Sequence, residues 1–280
     1  MCKWMFVPVA ACIALVAAAC VEPPPSESGA TQISAGGTHS CAVVAGGAVK
    51  CWGENSYGAL GDGTTTHSST PVDVVGVSGA TQIAAGSFHA CAVVAGGAVK
   101  CWGSNSDGQL GDGNTNTSSS AVDVVGVSGA TQIAAGFEHT CAVVAGGAVK
   151  CWGNNAYGAL GDGTTTHAST PVDVVGVSGA SLIAVGGGGH TCAVVGGGAV
   201  TCWGNNDFGQ LGDGTTTYSS TPVDVVGVSG GSRITAGGRG HACAVVGGGA
   251  VKCWGFNFYG QLGDGTTTDS STAVDVIGIS

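Results

Sequence analysis

The stretch His39-Ser40-Cys41-Ala42-Val43-Val44-Ala45-Gly46-Gly47-Ala48-Val49-Lys50-Cys51-Trp52-Gly53 decides the architecture. Two valine-rich runs flank Ala45-Gly46-Gly47, which reads as a hairpin: β-prone residues broken by a short glycine loop. With a three-residue loop, Val44 faces Ala48, Val43 faces Val49, and Cys41 falls opposite Cys51. Directly opposed Cβ atoms in an antiparallel ladder lie about 4.5–5.5 Å apart, so a small local adjustment permits an S–S bond. The same ten-residue spacing recurs in Cys91 and Cys101, Cys141 and Cys151, Cys192 and Cys202, and Cys243 and Cys253. One such pair per unit is the wrong arrangement for zinc, whose ligands come from closely spaced knuckles that converge. Free buried thiols are the other rival to a structural disulfide.

Beyond this hairpin, Trp52, Trp102, Trp152, Trp203 and Trp254 recur at intervals of 50, 50, 51 and 51 residues, and His39, His89, His139, His190 and His241 keep the same spacing. Five units, 30–79, 80–129, 130–179, 180–230 and 231–280, occupy the chain from residue 30 onward. In the second unit, four β-prone runs, Ala80–Ala85, Cys91–Val94, Ala98–Trp102 and Val122–Val125, are separated by glycine turns, and no run has helical period. Four strands in a repeat of this length predict a propeller blade. The expected fold is an all-β propeller of five four-stranded antiparallel blades, either a closed ring or an open arc. A β-solenoid, with its shorter rungs, fits less well.

Glycine supplies 54 of 280 residues without any triplet period, which excludes collagen, and 44% hydrophobic content argues against disorder. Seven basic against 17 acidic residues, net −10, leave no clustered basic surface to neutralise phosphate, so no nucleic acid partner is expected. At the N-terminus, Lys3 precedes an apolar run from Trp4 to Ala19 that ends in Ala17-Ala18-Ala19-Cys20, a signal peptide over 1–19. The Ala-Ala-Ala-Cys end resembles the lipobox of bacterial lipoproteins, which implies cleavage before Cys20 and its acylation. Residues 20–29, rich in proline and serine, then form a tether, and the anchor is the only expected engagement with a membrane. The expected address is the cell envelope, outer membrane or cell surface, or the extracellular medium. An exported chain meets an oxidant, which favours the five disulfides.

The segment Gly86-Ser87-Phe88-His89 … Gly97-Ala98-Val99-Lys100-Cys101-Trp102-Gly103 … Asn105-Ser106-Asp107-Gly108-Gln109-Leu110-Gly111 resembles the repeat of the regulator-of-chromosome-condensation family. All five units carry the pattern. The resemblance implies a propeller of four-stranded blades, usually seven of them, where five units are present here. The founding member's nucleotide exchange and chromatin binding do not carry over: units of 50 or 51 residues leave no room for its partner-engaging insertion, and this chain is acidic. Secreted bacterial relatives that bind proteins through the face of the ring are closer in compartment.

Comparing the units with one another separates scaffold from free positions. Phe88, Phe137, Glu138, Arg239, Phe256 and Phe258 occupy variable loop positions and are the candidate partner contacts, since loops on a rigid scaffold carry recognition and aromatic anchors dominate interfaces. The position held by His67, Thr117, His167, Tyr218 and Asp269 varies as well. The recurring histidines are expected to bond backbone within their own hairpins, and Asp62, Asp112, Asp162, Asp213 and Asp264 to accept from backbone N–H groups in their turns. No metal or cofactor site is expected. No nucleophile elbow, phosphate loop or His-Glu-x-x-His is present, so catalysis is not expected. The reading is a non-enzymatic propeller that binds a protein partner. Its alternative is a structural surface-coat or adhesion component in contact with glycans. An open arc would also offer its ends to a second copy, giving a homodimer.

Overall fold

The computed structural model describes residues 29–279; the leader, Cys20 and most of the tether lie outside these residues. Twenty strands form five four-stranded antiparallel sheets, each a meander in chain order. The first holds β1 (Ala30–Ala35), β2 (His39–Val44), β3 (Val49–Gly53) and β4 (Ser68–Asp73), and the second β5 (Ala80–Ala85), β6 (His89–Val94), β7 (Val99–Gly103) and β8 (Ser118–Asp123). The third comprises β9 (Ala130–Ala135), β10 (His139–Val144), β11 (Val149–Gly153) and β12 (Ala168–Asp173). The fourth comprises β13 (Leu182–Val185), β14 (His190–Val195), β15 (Ala199–Gly204) and β16 (Ser219–Asp224), and the fifth β17 (Arg233–Ala236), β18 (His241–Val245), β19 (Val251–Gly255) and β20 (Ser270–Asp275).

The hairpin has the register read from its loop: Val43 pairs with Val49 and Cys41 with Cys51, and Val44 N–H donates to Ala48 O at 2.9 Å. The other four hairpins repeat it, with Cys91 opposite Cys101, Cys141 opposite Cys151, Cys192 opposite Cys202 and Cys243 opposite Cys253. All five pairs have Cα–Cα distances of 4.0–4.1 Å and are joined through sulfur: Cys41 to Cys51, Cys91 to Cys101, Cys141 to Cys151, Cys192 to Cys202, and Cys243 to Cys253. The opposed Cα atoms stand closer than the general 4.4–6.8 Å range for bridged cysteines, because each pair sits directly across one rung of the ladder. Alkylation of the native chain is therefore expected to label none of these ten sulfurs, and each bridge reduced should cost roughly 2–3 kcal/mol in the chain-entropy picture. Ten reactive thiols in unreduced material would overturn this. The fourth strand differs from expectation. It starts in the Ser/Thr run at Ser118 and ends at Asp123, while Val124 and Val125 turn away as their N–H groups reach Val99 O and Gly111 O.

The core lies between sheets. Cys41, Val43, Val49, Cys51, Leu60 and Val74 of the first sheet and its loops pack on Ala80, Ile83, Ala90, Ala92 and Trp102 of the second, and equivalent positions pack at the next three joints, with Thr140 and Thr191 in place of Ala90 and Gly231 in place of Ala80. Each joint is also tied by an indole N–H: Trp102 donates to Ala59 O, Trp152 to Gln109 O, Trp203 to Ala159 O and Trp254 to Gln210 O, at 2.8–2.9 Å. Gly111 (φ +71°) shows why the accepting loop needs glycine, because a Cβ there would sit 2.8 Å from Trp152 Nε1.

The five sheets line a common cavity through Gly36, Gly86, Gly136, Gly187 and Gly238, but among the described residues the first and fifth sheets do not pack on each other. Ile33 on the first sheet is 66% exposed, whereas Ile83 and Ile183, its equivalents at joints, are 3% and 5% exposed. The described residues thus form an open arc.

Candidate functional site

Two loop families project from one end of the arc, since in a meander the first-to-second and third-to-fourth connections emerge on the same side. A buried asparagine builds the longer loop. Asn55 Oδ1 accepts from Leu60 N–H at 2.8 Å, and its Nδ2 donates to Thr64 O and Thr66 O; Asn105, Asn155, Asn206 and Asn257 repeat this arrangement. Asp62 accepts from Thr64 N–H at 3.0 Å, the turn role expected of it. In three units the variable position closes the same loop, with His67, His167 and Asp269 accepting from the N–H of Asn55, Asn155 and Asn257.

On this frame stand aromatic rings. Every Phe and Tyr among the described residues lies in these two loop families, and none at the opposite end. Tyr57, Phe88 and Phe137 form a chain of edge contacts across three units, with centroids 5.3 and 5.9 Å apart. Tyr157 meets Tyr218 at 5.1 Å. Phe208, Phe256, Phe258 and Tyr259 make a third group, over which the Arg239 guanidinium lies 5.9 Å from the Tyr259 ring. Phe137, Phe258 and Tyr259 are 43%, 65% and 69% exposed, so much of this aromatic surface faces solvent.

The face is acidic. Glu54, Asp107, Glu138, Asp207 and Asp269 join the five turn aspartates there, against a single arginine, Arg239. The four lysines of the described residues instead pair with strand-end aspartates near the opposite end, for example Lys100 Nζ with Asp123 Oδ1 at 2.6 Å. Between the third and fourth sheets, Phe137, Glu138, Asn154, Tyr157 and Gly187–Gly189 line a cavity of about 370 Å³. Asn154 Nδ2 donates to both Asp107 Oδ1 (2.9 Å) and Glu138 Oε2 (3.2 Å). Burial, reinforced by the Asp107 charge, raises the Glu138 carboxyl above its ordinary range. A cavity with aromatic walls and the Glu138 carboxylate in its lining, with Asp107 behind Asn154, suits a cationic side chain. The next cavity, of about 330 Å³, is lined by Phe208, Gln210, Arg239 and Phe256 and presents the opposite charge.

The structure thus brings Phe88 together with Phe137, and Phe256 with Phe258 beside Arg239, while Glu138 sits in the neighbouring cavity. Sequence comparison misses Tyr57, Tyr157, Phe208 and Tyr259. They follow the loop asparagine by two residues in nearly every unit, and a recurring residue reads as scaffold.

The histidines correct a second expectation. Two of them bond across joints and not within their hairpins: His89 Nε2 lies 2.9 Å from Thr140 Oγ1, and His139 Nε2 lies 3.0 Å from Thr191 Oγ1. Each threonine already gives its hydrogen to a carbonyl, Gln109 O or Ala159 O, so the imidazole Nε2 must be the donor. At His39 and His190 the equivalent positions of the next sheet hold Ala90 and Ala242, and the rings have no side-chain partner. Burial lowers His39 and His190 to about 4, and His89 and His139 to about 3.

The RCC1-like domain family model matches residues 16–278. The chain belongs to the RCC1-like domain family. Over 84 residues it is 39% identical to the ultraviolet-B receptor UVR8 of Arabidopsis thaliana, covering 30% of this chain and 19% of that protein. Over 82 residues it is 37% identical to the RCC2 homolog of Danio rerio, covering 29% and 17%. The chain therefore spans less than a fifth of these relatives. Human WBSCR16 superposes with a TM-score of 0.79 at 28% identity, covering 88% of this RCC1-like chain and 67% of its own. Yeast RCC1 (Prp20), solved bound to Kap60, gives 0.79 at 21% identity with 88% and 61% covered, a likeness of fold alone.

Proposed function

We propose that this RCC1-like protein is an exported, lipid-anchored recognition module that binds a basic segment of a protein partner on its aromatic, acidic face and performs no chemistry of its own. The observation that carries the proposal is the one-sided distribution of residues: all the described phenylalanines and tyrosines, with ten carboxylates and one arginine, stand at one end. Rings that expose their faces supply contact area at low conformational cost. The surrounding carboxylates attract a positive partner and speed encounter. The lysines are held near the other end by their aspartates, so the field of this face is little offset. Fold-level neighbours bind proteins too: yeast Prp20 is bound to Kap60, and its binding to Gsp1p and histones has been described.

Photo-crosslinking from positions 137 and 258, against positions 95 and 145 in the hairpin loops at the opposite end, tests this on cells that export the protein. Discrete protein adducts are expected from the first pair only. Equal labelling from both ends would sink the proposal. With a short peptide carrying lysine or arginine beside an aromatic residue, Glu138→Gln is expected to weaken binding about tenfold, the loss of about 1.4 kcal/mol. The wild-type affinity should fall with added salt, and a peptide of reversed charge should not bind at all.

A further inference from the structure

We infer that the cavity between the fourth and fifth sheets is a carboxylate site, which takes an acidic side chain from the same partner segment whose basic side chain enters the neighbouring cavity. The inference rests on the recognition proposed above and adds to it an acid at a fixed spacing from the base.

The two cavities are built from equivalent loops, and one asparagine position shows how they come to differ in charge. In the first, Asn154 directly precedes the loop asparagine Asn155, and its Nδ2 gives its hydrogens to Asp107 and Glu138. Asn205 holds that place in the second. The positions of Asp107 and Glu138 are there taken by Tyr157 and Gly189, which carry no carboxylate. A Cβ on Gly189 would lie 3.4 Å from Tyr157 Cδ2 and 3.8 Å from Asn205 Cβ, so the three stand together. The Asn205 amide is oriented by its oxygen: Oδ1 accepts from Asp207 N–H and from Gln210 Nε2, each at 2.9 Å, and only an oxygen can do so. Both hydrogens of Asn205 Nδ2 are thus left without an acceptor among the described residues, on a residue that is only 8% exposed. Gln210 is fixed in the same way, because its Oε1 accepts from Phe208 N–H at 2.9 Å. Its Nε2 donates one hydrogen to Asn205 and keeps a second.

Beside these amides stands Arg239. Among the described residues it makes no ion pair, and its guanidinium lies over the Tyr259 ring. Stacking on a ring occupies the plane of a guanidinium and leaves its N–H edge for an acceptor. Gly240 (φ +88°) lets the Arg239 loop close onto the amides, since a Cβ there would sit 3.0 Å from Gln210 Nε2. The lining therefore offers N–H donors and one positive charge, with Phe208 and Phe256 as walls and no carboxylate. A carboxylate completes such a set through charge-assisted hydrogen bonds, and the methylenes of a glutamate would lie on the rings. Gly188 lines both cavities, so they adjoin across one loop of the fourth unit. The face around them is acidic, so an acid on its own is repelled and enters only where a base in the first cavity holds the segment down.

The test is titration calorimetry on the full chain with end-capped peptides that carry an aromatic residue and a lysine, followed by glutamate or glutamine at stepped spacings. At one spacing the glutamate peptide should bind about tenfold more tightly than its glutamine twin. Arg239→Gln, at an exposed position, should erase that difference without weakening the glutamine peptide. Asn205→Asp keeps the oxygen that accepts from Asp207 N–H but turns the donor into a second acceptor, and should make the glutamate peptide the weaker of the two. Glu138→Gln should weaken both peptides alike, which reads the cation cavity by itself. If Glu138→Gln acts but glutamate and glutamine bind equally at every spacing, the carboxylate site is refuted and the recognition of a basic segment stands. If Glu138→Gln has no effect, that recognition falls and the carboxylate site with it. A difference that persists in Arg239→Gln, or a gain seen only when a free C-terminal carboxylate replaces the glutamate, also overturns the inference.

Discussion

Replacing Trp102 by alanine is expected to destabilise the protein by about 3–5 kcal/mol, whereas Trp52→Ala should cost far less. Both residues occupy the same repeat position, but Trp102 is fully buried and Trp52 faces an open end. The alanine variant at 102 loses the indole's packing against Gly61 and Val74 and also strands a carbonyl. Ala59 O accepts from Trp102 alone, since the residue facing it from the next strand is Ala90 and not a threonine. An unsatisfied buried acceptor adds roughly 1–3 kcal/mol, which puts Trp102→Ala at the upper end of the range. Trp152→Ala should be milder, because Thr140 Oγ1 continues to donate to Gln109 O. Urea denaturation at low protein concentration measures all three, and equal losses at positions 52 and 102 would refute the assignment of the core to the joints.

Acidification should be the second large effect. Four imidazoles are buried neutral, with their basicity lowered from 6.5 to about 4 at His39 and His190 and to about 3 at His89 and His139. The unfolded chain, in which these rings titrate near 6.5, takes up protons first as the pH drops. The stability they contribute is therefore complete above pH 6.5, declines as pH falls below that value, and levels off only under the folded values of about 4 to 3. In that window each ring costs about 1.4 kcal/mol per pH unit. Glu138, whose carboxyl is raised, works in the opposite sense but is one partly buried group against four rings. Urea midpoints at pH 7.5 and pH 5 are expected to differ strongly, and His89→Gln with His139→Gln should flatten the dependence. A midpoint unchanged over that range would contradict the burial of neutral imidazole.

What the sequence makes visible follows from distance along the chain. The hairpin register, the opposed cysteines and the four-strand unit depend on residues within about a dozen positions of one another, and turn chemistry states them directly. The histidine bonds do not show because their partners lie 51 and 52 residues away in the next unit, where Thr140 and Thr191 look like ordinary strand residues. The fourth strand reads too late in each unit because Val122–Val125 has the stronger β pattern, while the ladder forms from Ser118, whose hydroxyl bonds Ser120 O. Four of the nine rings of the face stay unnoticed for the opposite reason: Tyr57, Tyr157, Phe208 and Tyr259 recur two positions after the loop asparagine. In a repeat array a recurring side chain can be both regular and exposed, and only the fold separates the two. The extra residue in the fourth and fifth units is visible, but not its effect. Gly189 and Gly240 adopt φ of +78° and +88° and let the lengthened loop turn, which places Arg239 on the face.

The indole seat has an evolutionary corollary. Every unit brings both a plug and a socket, so a duplication of one unit inside the gene inserts a matched pair and leaves every existing fit undisturbed. The length of the wheel's rim can drift by whole segments while its seams stay the same, and selection is left to work on the rings and carboxylates that crown each new segment.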